Sequence, residues 1–373
     1  MSPKELQDKL YTFSISYFLP DLRKDRDKYY ALSVEDFKEY PICIAGYVLN
    51  LFMDGQLEKA NEIISSLPED NLIRMGVTIV NPTVTWKTFA DTIRTYKEKS
   101  QKINLLVLTA GRPNLLNGFN DFCRLTPFLM NRKNDFIDGL DVLYGKDCSD
   151  LLYNLILAEN YYQQNKLTDS ELLLTKTIKE FNKKNEDRFL FTSLYLEAKI
   201  FIANGTYLKT EHFMADIYKR ITNIGKAEFS NNMNAVSVQF ALYDSNYKAI
   251  SDWFKEDIPD EISDFNMLDL YRYMVKIRCY IVLEQYNSAI SLIEKLRPLL
   301  IIGQRHTDLC ELDLLLSITL YASNKKELAL EALERCLKIA KRRNFNRLIA
   351  DEGIAVFKLL LEFRKIKGNS PFL

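Results

Sequence analysis

The sequence predicts an all-α fold in which helical hairpins stack into a right-handed superhelix, an α-α solenoid. Three observations lead there. The chain of 373 residues carries only 12 Gly and 10 Pro, about half their usual share, so loop-rich β-sandwiches, collagen-like repeats and disordered linkers fit poorly. Hydrophobic residues make up 47% of the chain, yet a single globular core seldom grows beyond about 250–300 residues. A stack of repeats escapes that limit, because its core lengthens with each unit. Finally, apolar residues recur at helical spacing, pause over a few polar positions and resume, several times along the chain.

Taken in order, residues 1–107 read as the first helical hairpins. Lys4, Glu5, Asp8 and Lys9 interrupt the opening residues, so no secretion signal is expected there. A helix is predicted over 42–53, followed by the turn DGQLEKA (54–60) and a second helix running to Leu67-Pro68. The stretch IRMGVTIVNPTVTWK (73–87) is β-branched and contains Pro82, which predicts a loop or a poorly regular element. Residues 108–150 are expected to form an irregular elbow, because Gly111, Pro113 and Gly118 cluster there in a Gly-poor chain. Such a segment serves either as a structural joint or as a presenter of polar groups to the groove.

The clearest hairpin is LLYNLILAENYYQQNKLTDSELLLTKTIKEF (151–181). Ala158 in its first helix and Ser170 early in its second are small residues placed to let the two helices approach, the arrangement of a tetratricopeptide repeat (TPR). A weaker copy spans 190–221, with Ala198 as its small residue and Asn204-Gly205 as its turn, and a degenerate one surrounds 247–254. EQYNSA (284–289) opens a further second helix ending at Arg297-Pro298, and SNKKELA (323–329) opens another ending near Ala340, with Ser317 as the small residue before it. TPR-like repeats are thus expected over 151–367, and 368–373 as a tail leading toward a further domain.

Chemistry is hard to find. No phosphate-binding loop, dinucleotide-binding turn, H-E-x-x-H or G-x-S-x-G motif occurs, so no catalytic residues are expected. Cys43, Cys123, Cys148, Cys279, Cys310 and Cys336 have no C-x-x-C spacing and no neighbouring His, so neither a metal site nor a cofactor is expected and the thiols read as buried. His212 and His306 read as surface or capping residues. Asp308, Glu311, Asp313, Asp351 and Glu352 read as solvated helix faces and termini. Fifty basic residues balance fifty acidic ones, which leaves no electrostatic footprint for nucleic acid. The longest apolar runs are too short to span a bilayer, and a cytoplasmic location is expected.

Three stretches together resemble the TPR sensor region of the large LuxR-type, MalT-like bacterial transcription regulators. The first is LTAGRPNLLNGFNDF (108–122), similar to a recurrent G-R-P-[SN]-[LV]-L-N-G-x-x-D element that includes Arg112, Pro113, Asn117 and Asp121. The second comprises Leu143-Tyr144-Gly145, Leu157-Ala158-Glu159 and YYQQNK (161–166). The third is LERCLKIA (333–340) with Phe345, Arg347 and DEG (351–353), a closing A-x4-F-x-R-x3-D-E-G pattern. The resemblance implies a sensor that works with an ATPase module and a helix-turn-helix module, neither of which lies in this sequence. It also implies a small-molecule inducer, or a regulatory protein or peptide, as partner, with self-association as a further possibility of the assembly. On the repeat alignment Glu159, Tyr162, Gln163 and Arg278 face the concave groove and are the expected ligand-binding residues. The rival expectation is a stand-alone TPR scaffold or peptide-binding receptor.

Overall fold

The helices follow one another through short turns whose pivot residue adopts a left-handed backbone. Asn165 (φ 62°), Asn324 (φ 61°) and Asn344 (φ 58°) hold such places, and Asn is among the few side chains that enter this region at low cost. At the first of these turns the amides of Asn165 and Lys166 return to the carbonyls of Tyr162 and Tyr161 at 2.8 and 2.9 Å, closing the end of the helix. The polar pauses of the sequence are these turns.

The computed structural model describes residues 1–12, 18–98, 112–116, 118, 121, 126–205, 219, 230–243, 245–256 and 265–368. Its helices are α1 (Pro3–Thr12), α2 (Phe18–Lys24), α3 (Arg26–Tyr30), α4 (Ile42–Met53), α5 (Leu57–Ser66), α6 (Leu72–Ile79), α7 (Trp86–Glu98), α8 (Thr126–Leu129), α9 (Lys133–Tyr144), α10 (Lys146–Gln163), α11 (Leu167–Lys184), α12 (Asp187–Ala203), α13 (Ser230–Tyr243), α14 (Tyr247–Glu256), α15 (Leu270–Val282), α16 (Tyr286–Ile302), α17 (His306–Ala322), α18 (Lys326–Arg343), α19 (Asn346–Ala350) and α20 (Ile354–Lys367). Every regular element among the described residues is helical, as an all-α TPR-like solenoid requires.

Within the hairpins, small residues set the approach. Ser170 donates its hydroxyl to the Ala158 carbonyl at 2.7 Å across the α10–α11 contact, and both residues are fully buried. Gly46 plays this part in α4, where an added Cβ would lie 2.7 Å from the Tyr29 hydroxyl.

Three elements differ from the sequence expectations. The stretch 73–87 contains most of α6 and the start of α7. Asn71 caps α6 by accepting from the Ile73 and Arg74 amides, and burial of Met75, Val77 and Ile79, about 1.5–3 kcal/mol per side chain, outweighs the small propensity penalty of β-branching. Pro82 lies in the turn that follows. Second, α16 does not end at Pro298 but continues through it to Ile302. Pro298 lies on the exposed face, where the carbonyl it leaves unpaired can be hydrated, while Leu296 and Leu300 on either side are buried. Third, the segment 108–150 includes α8, α9 and the first turn of α10; its irregular part, among the described residues, lies within 112–121.

The array also closes on itself. Val48, Leu51 and Phe52 of α4 share one core with Leu270, Met274 and Ile277 of α15 and with Leu292 and Leu296 of α16. Arg23 pairs with Asp54 and reaches the Phe265 carbonyl at 3.3 Å. The first hairpin thus packs against a repeat far along the chain. At the other end α19 packs against α10. Arg112, Pro113, Leu115, Leu116, Gly118 and Asp121 are buried within this arrangement.

Candidate functional site

The irregular segment is a strap across the interior of the superhelix. On one side it is held by Glu159 of α10, whose buried carboxylate accepts from the Leu115 amide at 2.8 and 3.0 Å and from the Leu116 amide at 2.7 Å. On the other side it meets the start of α17. Arg112 pairs with Asp308 at 3.0 Å, and Arg305 pairs with the same carboxylate at 2.7 Å. All three side chains are buried, at 2%, 0% and 0% exposure. Arg305 also donates to the Gly118 carbonyl at 2.9 Å. Asp121 accepts from the Thr307 amide at 2.9 Å and from its hydroxyl at 3.0 Å. Pro113 is buried between these anchors, where its fixed φ stiffens the strap.

Beside the strap lies a cavity of about 50 Å³, lined by Asn114, Glu159, Tyr162, Gln163, Lys199 and Thr307 among others. Drug-sized ligand pockets measure roughly 300–1,000 Å³, and one water needs about 10–15 Å³, so the cavity has room for a few waters. Asn114 Oδ1 is buried there with no hydrogen-bond partner.

A second set of contacts clasps α19 and the turn after it onto the first repeats. Tyr162 donates its hydroxyl to the Asp351 carboxylate at 2.9 Å. Lys199 pairs with the same group at 2.7 Å and lies 5.1 Å from the centre of the Tyr162 ring. Arg347 donates to Asp351 through Nε at 3.0 Å. Gln163 Oε1 accepts from the Leu348 amide at 3.1 Å. Further along, Arg278 joins Glu311 at 2.7 Å and donates through Nε to Glu352 at 3.1 Å.

Burial pushes the Glu159 carboxyl up to about 7, although the Leu116 and Leu115 amides and the Lys199 charge pull the other way. Burial also opposes charge on Lys199, but Asp351 and the tyrosines around it outweigh burial and hold the ammonium strongly protonated.

Of the residues expected to bind ligand, Glu159, Tyr162 and Gln163 come together at the cavity and each is engaged by the chain itself. Arg278 is not among the residues lining the cavity and is held in its own carboxylate pair. Of the motif residues, Arg112 and Asp121 anchor the strap and Pro113 is buried between them, while Asn117 lies outside the described residues, as does His212. The carboxylates read as solvated faces are drawn into ion pairs instead. Asp308 and Asp313 are buried, Asp313 between Arg297 and Arg335, and Asp351 and Glu352 build the clasp. Asp308, Glu311 and Asp313 have the spacing of a helix surface, but α17 is covered on several sides, which periodicity in one helix does not disclose. Arg305, Thr307 and Lys199 were not singled out from sequence, although the 108–122 motif holds the Gly118 and Asp121 partners of the first two and the Asp-Glu-Gly closing pattern holds the Asp351 partner of the third.

Among the described residues no group of His, Cys, Asp and Glu is placed to hold a metal ion, and no helix is long and apolar enough to cross a membrane. No curated protein matches the chain. Residues 150–365, more than half its length, match the family described as the MalT-like TPR region. TPR-like domains generally mediate protein or ligand interactions and typically act as non-catalytic scaffolds. The strap, the closing clasp and the repeats between them lie on the residues that carried the resemblance, and with the family match they make this chain a member of the MalT-like TPR region family.

Proposed function

We propose that the chain is the effector-sensing and protein-interaction region of a LuxR-type, MalT-like transcription regulator, and that a small inducer or a regulatory protein bound in its concave groove controls the DNA-binding activity of the parent protein. The observation that carries this reading is the use Glu159 makes of its carboxylate. The residue expected to read a ligand instead holds two amides of the chain's own strap, beside a cavity too small for an effector. Binding at this site therefore requires the strap or the clasp to move. An effector that prefers the opened arrangement shifts the population toward it, and that difference in affinity is the signal. The unpartnered Asn114 Oδ1 at the cavity wall is suited to accept from a hydroxyl or amide of such an effector. The activity is one of binding, without catalysis or a cofactor.

The test is a thermal-shift and calorimetric screen of the full chain against oligosaccharides, other metabolites and short peptides. A specific ligand at 100 times its dissociation constant stabilises the state it binds by about 2.7 kcal/mol. The expected result is a stabilising ligand whose affinity changes at least about tenfold in Glu159→Gln. A screen in which no small molecule binds, and the only ligands are extended peptides whose affinity is indifferent to Glu159, contradicts the inducer reading and favours a stand-alone TPR scaffold.

A further inference from the structure

The last helix of the array is covered on one side only. α20 buries Val356, Leu359 and Phe363 in the terminal core, while Ile354, Phe357 and Leu361 are 72%, 54% and 41% exposed. Spacings of three and four residues place these three on one face. With Ile366 on the same helix, α20 carries four of the twelve large apolar side chains exposed among the described residues. Scattered apolar residues need no explanation, but a contiguous stripe does.

The neighbouring repeat shows what such a face receives. α17, the first helix of its hairpin, buries Cys310, Leu312, Leu314, Leu315 and Leu320 around its circumference, because α16, α18 and α20 all pack on it. Its second helix, α18, supplies an apolar stripe of Ala329, Ala332, Leu333, Cys336 and Ala340. α20 follows α18 in the place of the next first helix, and among the described residues no second helix lies on its outer side.

Charge specifies what fits. Lys358, Arg364 and Lys365 are exposed around the stripe. Glu362 is the single acidic residue of the helix, and Lys326 and Lys365 already engage it. Lys358 and Arg364 are not drawn into ion pairs among the described residues.

We propose that this face docks an amphipathic α-helix of a partner polypeptide, with an Ala/Leu stripe and acidic flanks, laid on α20 as α18 lies on α17. The helix continues the hairpin interface by one element, its apolar stripe covering Ile354, Phe357 and Leu361 and its carboxylates meeting Lys358, Arg364 and Lys365. This surface is separate from the groove, and the proposal does not depend on what the groove binds.

The test is a fluorescence-anisotropy titration of the full chain against a synthetic stapled helix bearing the Ala/Leu spacing of α18 and Glu on both flanks. Saturable binding is expected, weakened at least ~10-fold in Phe357→Glu and in Leu361→Glu. The Lys358→Glu, Arg364→Glu double variant is expected to lose the acidic helix and gain a lysine-flanked version of it. All these positions are exposed, so the variants should keep the wild-type melting curve, checked by circular dichroism. The proposal is overturned if the acidic helix does not bind saturably, if acidic and lysine-flanked helices bind the wild type equally, or if the substitutions have no effect. It is equally overturned if Phe357 and Leu361 prove to be needed for binding phosphatidylglycerol vesicles or for pairing of two copies of the chain in sedimentation, rather than for the helix.

Discussion

Asp308→Ala is expected to destabilise the chain by about 3–5 kcal/mol, the usual cost of leaving buried charge without its partner. The carboxylate is completely buried and serves two guanidinium groups, Arg112 from the strap and Arg305 from the turn before α17. Its removal leaves both cations in a low-dielectric interior, with Arg112 Nε and Nη1 already lacking partners. Truncation in this direction is worse than removing either arginine, since Asp308 then loses only one of its two cations. Urea unfolding followed by circular dichroism checks the prediction. A loss below about 1 kcal/mol, the range of exposed pairs, would mean that the strap is not seated against α17 as described.

Glu159 is expected to make stability fall as pH rises from about 4.5 to 7. Its carboxyl is held at about 7 in the folded chain, against an ordinary value of 4.5. Between these two values the folded state binds more protons than the unfolded one, so its advantage is fully present below the unfolded value and is lost as pH passes the folded one. The full difference is on the order of 3 kcal/mol. Glu159→Gln, which cannot titrate, should remove this component from the pH profile and leave the rest of the curve in place. Urea midpoints of the two proteins from pH 4.5 to 8.5 give the comparison, and parallel profiles would contradict the burial of this carboxyl.

The two results connect the strap to both of its sides. Asp308 anchors it to α17 through charge, whereas Glu159 anchors it to α10 through backbone amides. On the proposed function, an effector acting at the groove opposes one of these anchors. The protonation of Glu159 near neutral pH means that its hold on the amides differs from one side of pH 7 to the other.

Much of the fold was legible in the sequence because the hairpins are local. Helical spacing, the polar pause at Asn165 and the pair Ala158 and Ser170 all lie within one hairpin, and the structure places them in contact as that spacing implies. What the sequence did not disclose is long-range. Nothing in residues 42–53 announces that α4 shares a core with α15, because an apolar helix face carries no record of which apolar face it meets. The site was legible in half. Gly111 and Gly118 drew attention to the strap segment, and Glu159, Tyr162 and Gln163, expected at the groove, line the cavity beside it. That they would be engaged by residues 115, 116, 348 and 351 of the same chain could not be read from spacing. Asp308 was misread for the same reason, since its place in the first turn of α17 has the signature of a residue favoured by the helix dipole whether or not another segment covers it.

The most direct test of the self-occupied groove is amide hydrogen exchange at Leu115 and Leu116 in the full chain without any ligand. Both amides donate to a buried carboxylate, so their protection should match that of the buried core of α10. Exchange of these two amides at the rate of an unstructured chain, with α10 still protected, would show that the strap does not occupy the groove.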